Sequence, residues 1–163
     1  MCIRDRGLAR AADVPVIAFV SKMDRERADP AKAVEEITDI LKVPAVPVQL
    51  PIGKEAEFRG VIDLFRMKAM IYKGDTGEFT LQEIPADLAA EASSAREKLV
   101  ESCAESDDAL IEKFLEGTAL TDEEIRDGFR AGVRAMRFLP VLYGSALRNI
   151  AIQPVLDLSL IHI

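Results

Sequence analysis

The sequence predicts an α/β fold: a parallel sheet with covering helices, interrupted by an α+β insert of short strands plus three helices. Three observations predict it. Two apolar runs of strand length, residues 14–20 and 138–143, lie far apart, and each stops at a short polar loop. A helical stripe and a second extended stretch follow the first run, which is the strand–helix–strand rhythm of an α/β unit. Between the two runs the pattern changes to short strand-like segments with no helix between them, then to three successive amphipathic stretches. The length of 163 residues suits one ordinary domain, and 49% apolar with 30% charged residues supplies both a core and a solvated surface.

Each element has its own local reason. Residues 1–6 lack the apolar stretch of a secretory leader and run at once into helix-like sequence. Val14-Pro15-Val16-Ile17-Ala18-Phe19-Val20 is a continuous, largely β-branched run that fits a strand buried on both faces. It stops at Ser21-Lys22-Met23-Asp24. Asp29-Pro30 reads as an N-cap followed by a first-turn proline, and Val34, Ile37 and Leu41 form one stripe, so a helix is expected over 30–42. Residues 46–52 are extended, but Pro47 and Pro51 confine them to an edge or an irregular strand. Runs at 61–65 and 67–72, a turn at Gly74-Asp75-Thr76-Gly77 and a run at 78–84 predict a small meander. Leu88, Ala92, Ala95, Leu99 and Cys103 then share one helix face. Ser106 ahead of Asp107-Asp108 starts a second helix, with Leu110, Ile111, Phe114 and Leu115 on its apolar side and Gly117 as its stop. Thr121-Asp122-Glu123-Glu124 is a capping box, and Ile125, Phe129, Val133 and Met136 give the third helix its stripe. Residues 138–143 return to strand and end in Gly144-Ser145-Ala146.

Composition excludes several classes. It is not that of a disordered tail, a collagen-like repeat or a disulfide scaffold. No apolar run approaches the ~18–20 residues that span a bilayer, so no membrane role is expected. A net charge of −7 argues against a direct grip on nucleic acid phosphates. Cys2 and Cys103 lie far apart and suggest neither a disulfide framework nor a metal site, which fits a reduced, cytoplasmic setting. The sole histidine, His162, matches no motif. Charge is distributed unevenly. Between 101 and 127 ten acids face only Lys113 and Arg126, a net of −8, and the remainder of the chain nets +1. Such asymmetry attracts basic partners, although a solvated helix face is the plainer reading.

The candidate site lies at the two strand ends, because open α/β sheets bind ligands beyond the carboxyl ends of their strands. A carboxylate only accepts, with two oxygens side by side, and so matches two parallel N–H donors. Guanine presents such a pair on one edge and adenine does not, so Asp24 is expected to select guanine. Lys22 can lay its methylene stem over the base. The small residues Ser145 and Ala146 would let backbone N–H groups approach the guanine oxo group.

The stretch Val16-Ile17-Ala18-Phe19-Val20-Ser21-Lys22-Met23-Asp24-Arg25 resembles the [NT]-K-x-D element of translational GTPases. Gln49-Leu50-Pro51-Ile52-Gly53 and Phe58-Arg59-Gly60-Val61-Ile62-Asp63-Leu64 resemble the elongation factor G family specifically. So does Phe138-Leu139-Pro140-Val141-Leu142-Tyr143-Gly144-Ser145-Ala146-Leu147-Arg148-Asn149. The resemblance covers residues 7–157. It implies a partial P-loop GTPase-type parallel sheet, with core parts at 7–57 and 138–157 and a family-specific insert at 58–137. It implies guanine-base-binding residues Ser21, Lys22, Met23, Asp24, Ser145, Ala146 and Leu147. GTP or GDP would be held here by base contacts only, with Mg2+ bound in the intact parent. It further implies GTP-driven translocation on the ribosome in that parent, with the acidic helices of the insert facing ribosomal stalk proteins. Two alternatives stand beside this: the acidic insert as a protein-interaction module, or a ribosome-protection or release-factor relative, which the 58–64 signature disfavours.

The departures from the family pattern set further expectations. Ser21 stands where asparagine is usual, and its shorter hydroxyl offers one donor, a feature that divergent elongation factor G-like paralogues share. The sequence contains no G-x-x-x-x-G-K-[ST], no family switch threonine and no Asp-x-x-Gly-His, so no catalytic residue and no metal ligand is assigned. The chain alone is therefore not expected to hydrolyse GTP. Residues 1–6 and 158–163 resemble translated sequencing-adapter read-through and are expected to be a non-native leader and tail.

Overall fold

Residues 3–160 are described by a computed structural model, so Met1, Cys2, His162 and the outermost residues of the expected leader and tail lie outside the described residues. In chain order the elements are α1 (Ile3–Ala11), β1 (Ala18–Val20), α2 (Pro30–Leu41), β2 (Ala45–Pro47) and β3 (Gln49–Ile52). They continue with β4 (Gly60–Asp63), β5 (Lys68–Tyr72), β6 (Phe79–Gln82), α3 (Ala89–Ala104), α4 (Asp108–Leu115), α5 (Asp122–Arg134), β7 (Leu139–Tyr143) and α6 (Gln153–Leu160). Two sheets result. One is parallel, in the order β1-β7-β2, and the other is antiparallel, in the order β3-β4-β5-β6. The mixed α/β class is the one that the sequence predicts.

Several predicted elements take a different form. Of the run 14–20 only Ala18–Val20 pairs, and these residues are half-buried rather than buried. The reason is position: among the described residues β1 has a strand on one side only, and Pro15 has no N–H to give to a ladder. The run 46–52 is two strands in two sheets. The chain crosses over at Val48, whose N–H donates to Val141 O (3.0 Å) in the parallel sheet. Its carbonyl accepts from Leu64 N–H (3.2 Å) beside the antiparallel one. Both prolines sit on edge strands, where a missing donor costs least.

The helices follow their caps. Asp29 accepts from Lys32 N–H at 3.1 Å, Pro30 opens α2, and Leu41 is buried beneath it. Asp107, not Ser106, caps α4. Its backbone is extended and its carboxylate accepts from Ala109 and Leu110, whereas the Ser106 hydroxyl donates back to Ser102 O at the end of α3. The Thr121–Glu124 capping box forms as predicted. Helix α5 ends at Arg134, so Met136 (φ 51°) lies beyond the stripe assigned to it.

Ile62, Leu64, Leu99, Phe129, Phe138 and Leu142 belong to one core between the sheets and α3–α5. Phe129 meets Phe65 edge-on at 5.0 Å and Phe138 at 5.6 Å. Burying each such side chain contributes about 1.5–3 kcal/mol. A second cluster, with Met23, Phe58, Val141, Tyr143 and Ile150, lies under the loops at the ends of β1 and β7. Cys103 is fully buried, and burial pushes its thiol up to about 12, which leaves it unreactive. Among the described residues no helix is long and apolar enough to cross a membrane.

Candidate functional site

Parallel pairing decides where the two polar loops go. Val20 is opposite Tyr143, so β1 and β7 end at the same edge of the sheet. The ladder then continues past both strands: Gly144 N–H donates to Val20 O (3.0 Å) and Met23 N–H donates to Gly144 O (3.2 Å). The loops at 21–24 and 144–147 are thus bonded to each other, as convergence on one ligand requires.

The first loop is a tight turn. Lys22 adopts a left-handed conformation (φ 62°), and its carbonyl accepts from Arg25 N–H at 3.0 Å. This directs Met23 into the core at 2% exposure and leaves Ser21 and Lys22 exposed. Met23 therefore anchors the turn from below, while Asp24 stands at its surface edge with 11% of its side chain exposed. The Ser145 hydroxyl beside Asp24 holds the carboxyl below the ordinary carboxylate range. The aspartate's own N–H, Arg25 (3.7 Å) and Arg148 act in the same direction, and burial opposes them.

The second loop closes on itself. Ser145 and Ile150 exchange backbone hydrogen bonds, Ser145 N–H to Ile150 O at 3.1 Å and Ile150 N–H to Ser145 O at 3.0 Å. Gly144 is required by this closure, since a Cβ there would lie 2.6 Å from Ile150 O and 2.9 Å from the Phe19 ring. One sequence expectation is corrected here. The Ser145 N–H is already committed, so Ser145 contributes its hydroxyl, which also accepts from Arg148 N–H at 3.3 Å. The N–H groups that find no acceptor among the described residues belong to the exposed Ala146 and Leu147. One ionised carboxylate and two free amides thus face solvent at one edge, complementary to a planar ligand with paired donors and an acceptor.

The sequence did not single out the residues that hold this loop in place. The Arg148 guanidinium donates to Asp75 (3.2 Å), Phe58 O (3.2 Å) and Ala56 O (3.4 Å), and so straps the loop to the antiparallel sheet. Gln153 donates to Gly77 O at 2.8 Å and accepts from the Tyr72 hydroxyl at 3.2 Å. Gly77 (φ +81°) is pressed so closely that a Cβ would lie 2.5 Å from Asn149 Nδ2. On the other loop, Arg27 N–H donates to Glu55 Oε1 at 2.9 Å. The turn signal at 74–77 marked the hairpin, but nothing local in sequence marks its partners.

The donor set does not suit a divalent metal. Among the described residues no three His, Cys, Asp or Glu side chains are grouped so as to hold an ion. The residues present do not fit magnesium, and no step through it is assigned to this chain.

Comparison with known proteins bears on the chain as a whole. A sequence profile described as the elongation factor Tu GTP binding domain matches residues 4–163. Among solved structures, the crystal structure of a Thermus thermophilus protein is similar, with 30% sequence identity and a TM-score of 0.84. The match covers 96% of this chain and 23% of that one, so the chain spans less than a quarter of the length of its solved relative.

Proposed function

Because the chain belongs to the family of elongation factor Tu GTP-binding domains, we propose that it is the guanine-base-binding half of the GTPase domain of an elongation factor G-like translation factor. GTP-driven translocation on the ribosome is then the work of the intact parent. The division into core parts at 7–57 and 138–157 and an insert at 58–137 follows from the same reading. One observation carries it: the Asp24 carboxylate, held ionised beside Ser145, shares an edge with the free amides of Ala146 and Leu147. Asp24 accepts from the ring N–H and exocyclic amino group of guanine, the two amides donate to its oxo group, and the Lys22 stem covers its face. Met23 anchors the turn from the core, and Ser21 lies exposed at its start.

Base contacts alone bind weakly. GDP is expected to associate at millimolar levels, about −4 kcal/mol. Titration followed by amide NMR tests the assignment. GDP should move the Asp24, Ala146 and Leu147 resonances and ADP should not. Asp24→Asn should exchange the preference from guanosine to xanthosine, whose second oxo group suits an amide donor. Equal shifts with ADP, or an unchanged preference in the variant, would refute the reading.

A second reading rests on a different observation. Of the ten acids between 101 and 127, Asp107 caps a helix, and Asp122, Glu124 and Asp127 pair with Arg96, Lys113 and Arg130. Glu101, Glu105, Asp108, Glu112, Glu116 and Glu123 form no ion pair among the described residues, and Leu115 beside them is 77% exposed. That surface suits a basic, partly apolar protein partner, and ribosomal stalk proteins are the candidates. Their retention should fall when these six acids are changed to glutamine.

A further inference from the structure

A second concavity lies where the two sheets meet α5 and α6, away from the base loops. We propose that it binds a small anionic molecule with an apolar body, of the aryl-carboxylate class, that carries a second acceptor oxygen. The cavity is about 330 Å³, and its walls include Val48, Phe65, Met70, Phe129, Leu142 and Pro154. Small-molecule sites commonly have this size and apolar lining, with a few placed polar groups, and occur where structural units meet.

The floor supplies one such group. Strand β2 ends at Pro47, so the N–H of Tyr143 has no strand neighbour on that side, and the Gln49 carbonyl oxygen takes its place at 3.4 Å. A donor opposite the oxygen fixes which way the amide points. Gln49 Nε2 is left on the other side, in a residue only 3% exposed, with no acceptor among the described residues. Buried donors without partners are rare in folded proteins and call for an explanation.

The rim supplies charge. Five ionisable side chains line the cavity: Asp63, Arg66, Arg126, Arg130 and Asp157. Asp63 is engaged by the Phe65 and Arg66 N–H groups (2.8 and 3.1 Å) and by the Arg66 guanidinium at 3.7 Å. Arg130 holds Asp127 at 2.9 Å. Arg126 has no ion-pair partner among the described residues. Asp157 is the one opposing carboxylate that makes no salt bridge there. The uncommitted donors are thus a buried amide and an exposed guanidinium, separated by apolar wall. A ligand that satisfies both places a carboxylate at Arg126 and a neutral oxygen at Gln49, with hydrocarbon between.

Three probes test this on the full chain: 6-methoxy-2-naphthoate, naphthalene-2-carboxylate without the ether oxygen, and neutral 2-methoxynaphthalene. Methyl NMR of Met70 and Leu142 should show saturable shifts with the first. Removing either the ether oxygen or the carboxylate should weaken binding about tenfold. Arg126→Gln, an exposed change that leaves the fold intact, should cost the two carboxylates the same factor and leave the neutral probe unmoved. Absence of saturable shifts at these methyls overturns the proposal, as does equal binding of all three probes with no effect of Arg126→Gln. The cavity is then a solvent-filled joint between the sheets.

Discussion

Replacing Ser145 by alanine separates a site built around Asp24 from a merely compact turn. Ser145 is 0% exposed, and its hydroxyl serves two groups: it favours the charged form of the Asp24 carboxylate beside it and accepts from Arg148 N–H at 3.3 Å. The first is an interaction with a charged group, worth at most roughly 1.5–3 kcal/mol. Asp24 retains 11% exposure and so keeps some access to water, which places the loss near the lower end of that range. The second bond is long and neutral and adds about 0.5 kcal/mol. Ser145→Ala is therefore expected to cost about 2 kcal/mol at pH 7, which lowers a urea midpoint by about 1 M for a typical dependence on denaturant. The pH dependence is the sharper readout. The folded state depresses the Asp24 pKa, so its stabilisation is complete above the unfolded value of about 3.9 and disappears as pH falls through the folded value. The variant returns the Asp24 titration toward the ordinary range, and the stability gap between the two proteins should close on acidification. Carboxyl NMR of Asp24 and urea melts at several pH values measure both quantities. An unmoved titration, or a gap that stays constant with pH, would show that Ser145 does not orient the carboxylate.

Gly144→Ala should strain the junction of the two loops, because its Cβ would meet Ile150 O at 2.6 Å and the Phe19 ring at 2.9 Å. Overpacking of this kind costs about 1–3 kcal/mol, and amide exchange at Ser145 and Ile150 should quicken while α3 and α4 keep their protection; a melt unchanged within about 0.5 kcal/mol refutes the close approach. At the far side, Lys113 together with the Thr121 N–H and hydroxyl holds the Glu124 carboxyl down to about 2 from 4.5. The α4–α5 tie is therefore complete above about pH 4.5 and should be lost as pH falls toward 2, seen as faster exchange at the Thr121 and Glu124 amides. Glu124→Gln should abolish that pH dependence, and high salt should weaken the tie at neutral pH.

What the sequence disclosed and what it withheld divide along a physical line. Interactions between residues a few positions apart leave a local trace. The Thr121–Glu124 box, the Asp29-Pro30 entry to α2 and the turn at 74–77 were readable for that reason, as were the apolar runs that had to be strands. The candidate site was half readable: its two loops were found because each ends an apolar run, and their adjacency followed from parallel pairing. Its supporting contacts had no local trace. Arg148 reaches Asp75 across 73 positions and Phe58 O across 90, and an arginine just after a loop has the same local signature whether it is solvated or strapped. The division of 46–52 into two strands was hidden for the same reason, since the crossover at Val48 depends on bonds to Val141 and Leu64. One trace was present and informative. Gln49 is a polar residue in the apolar run Val46-Pro47-Val48-Gln49-Leu50, and a polar side chain that must be buried needs a partner. Its carbonyl found Tyr143 N–H, 94 positions away, at the point where β2 leaves the parallel sheet. The out-of-pattern glutamine therefore marks the place where the chain passes from one sheet to the other, and the same residue lines the second cavity.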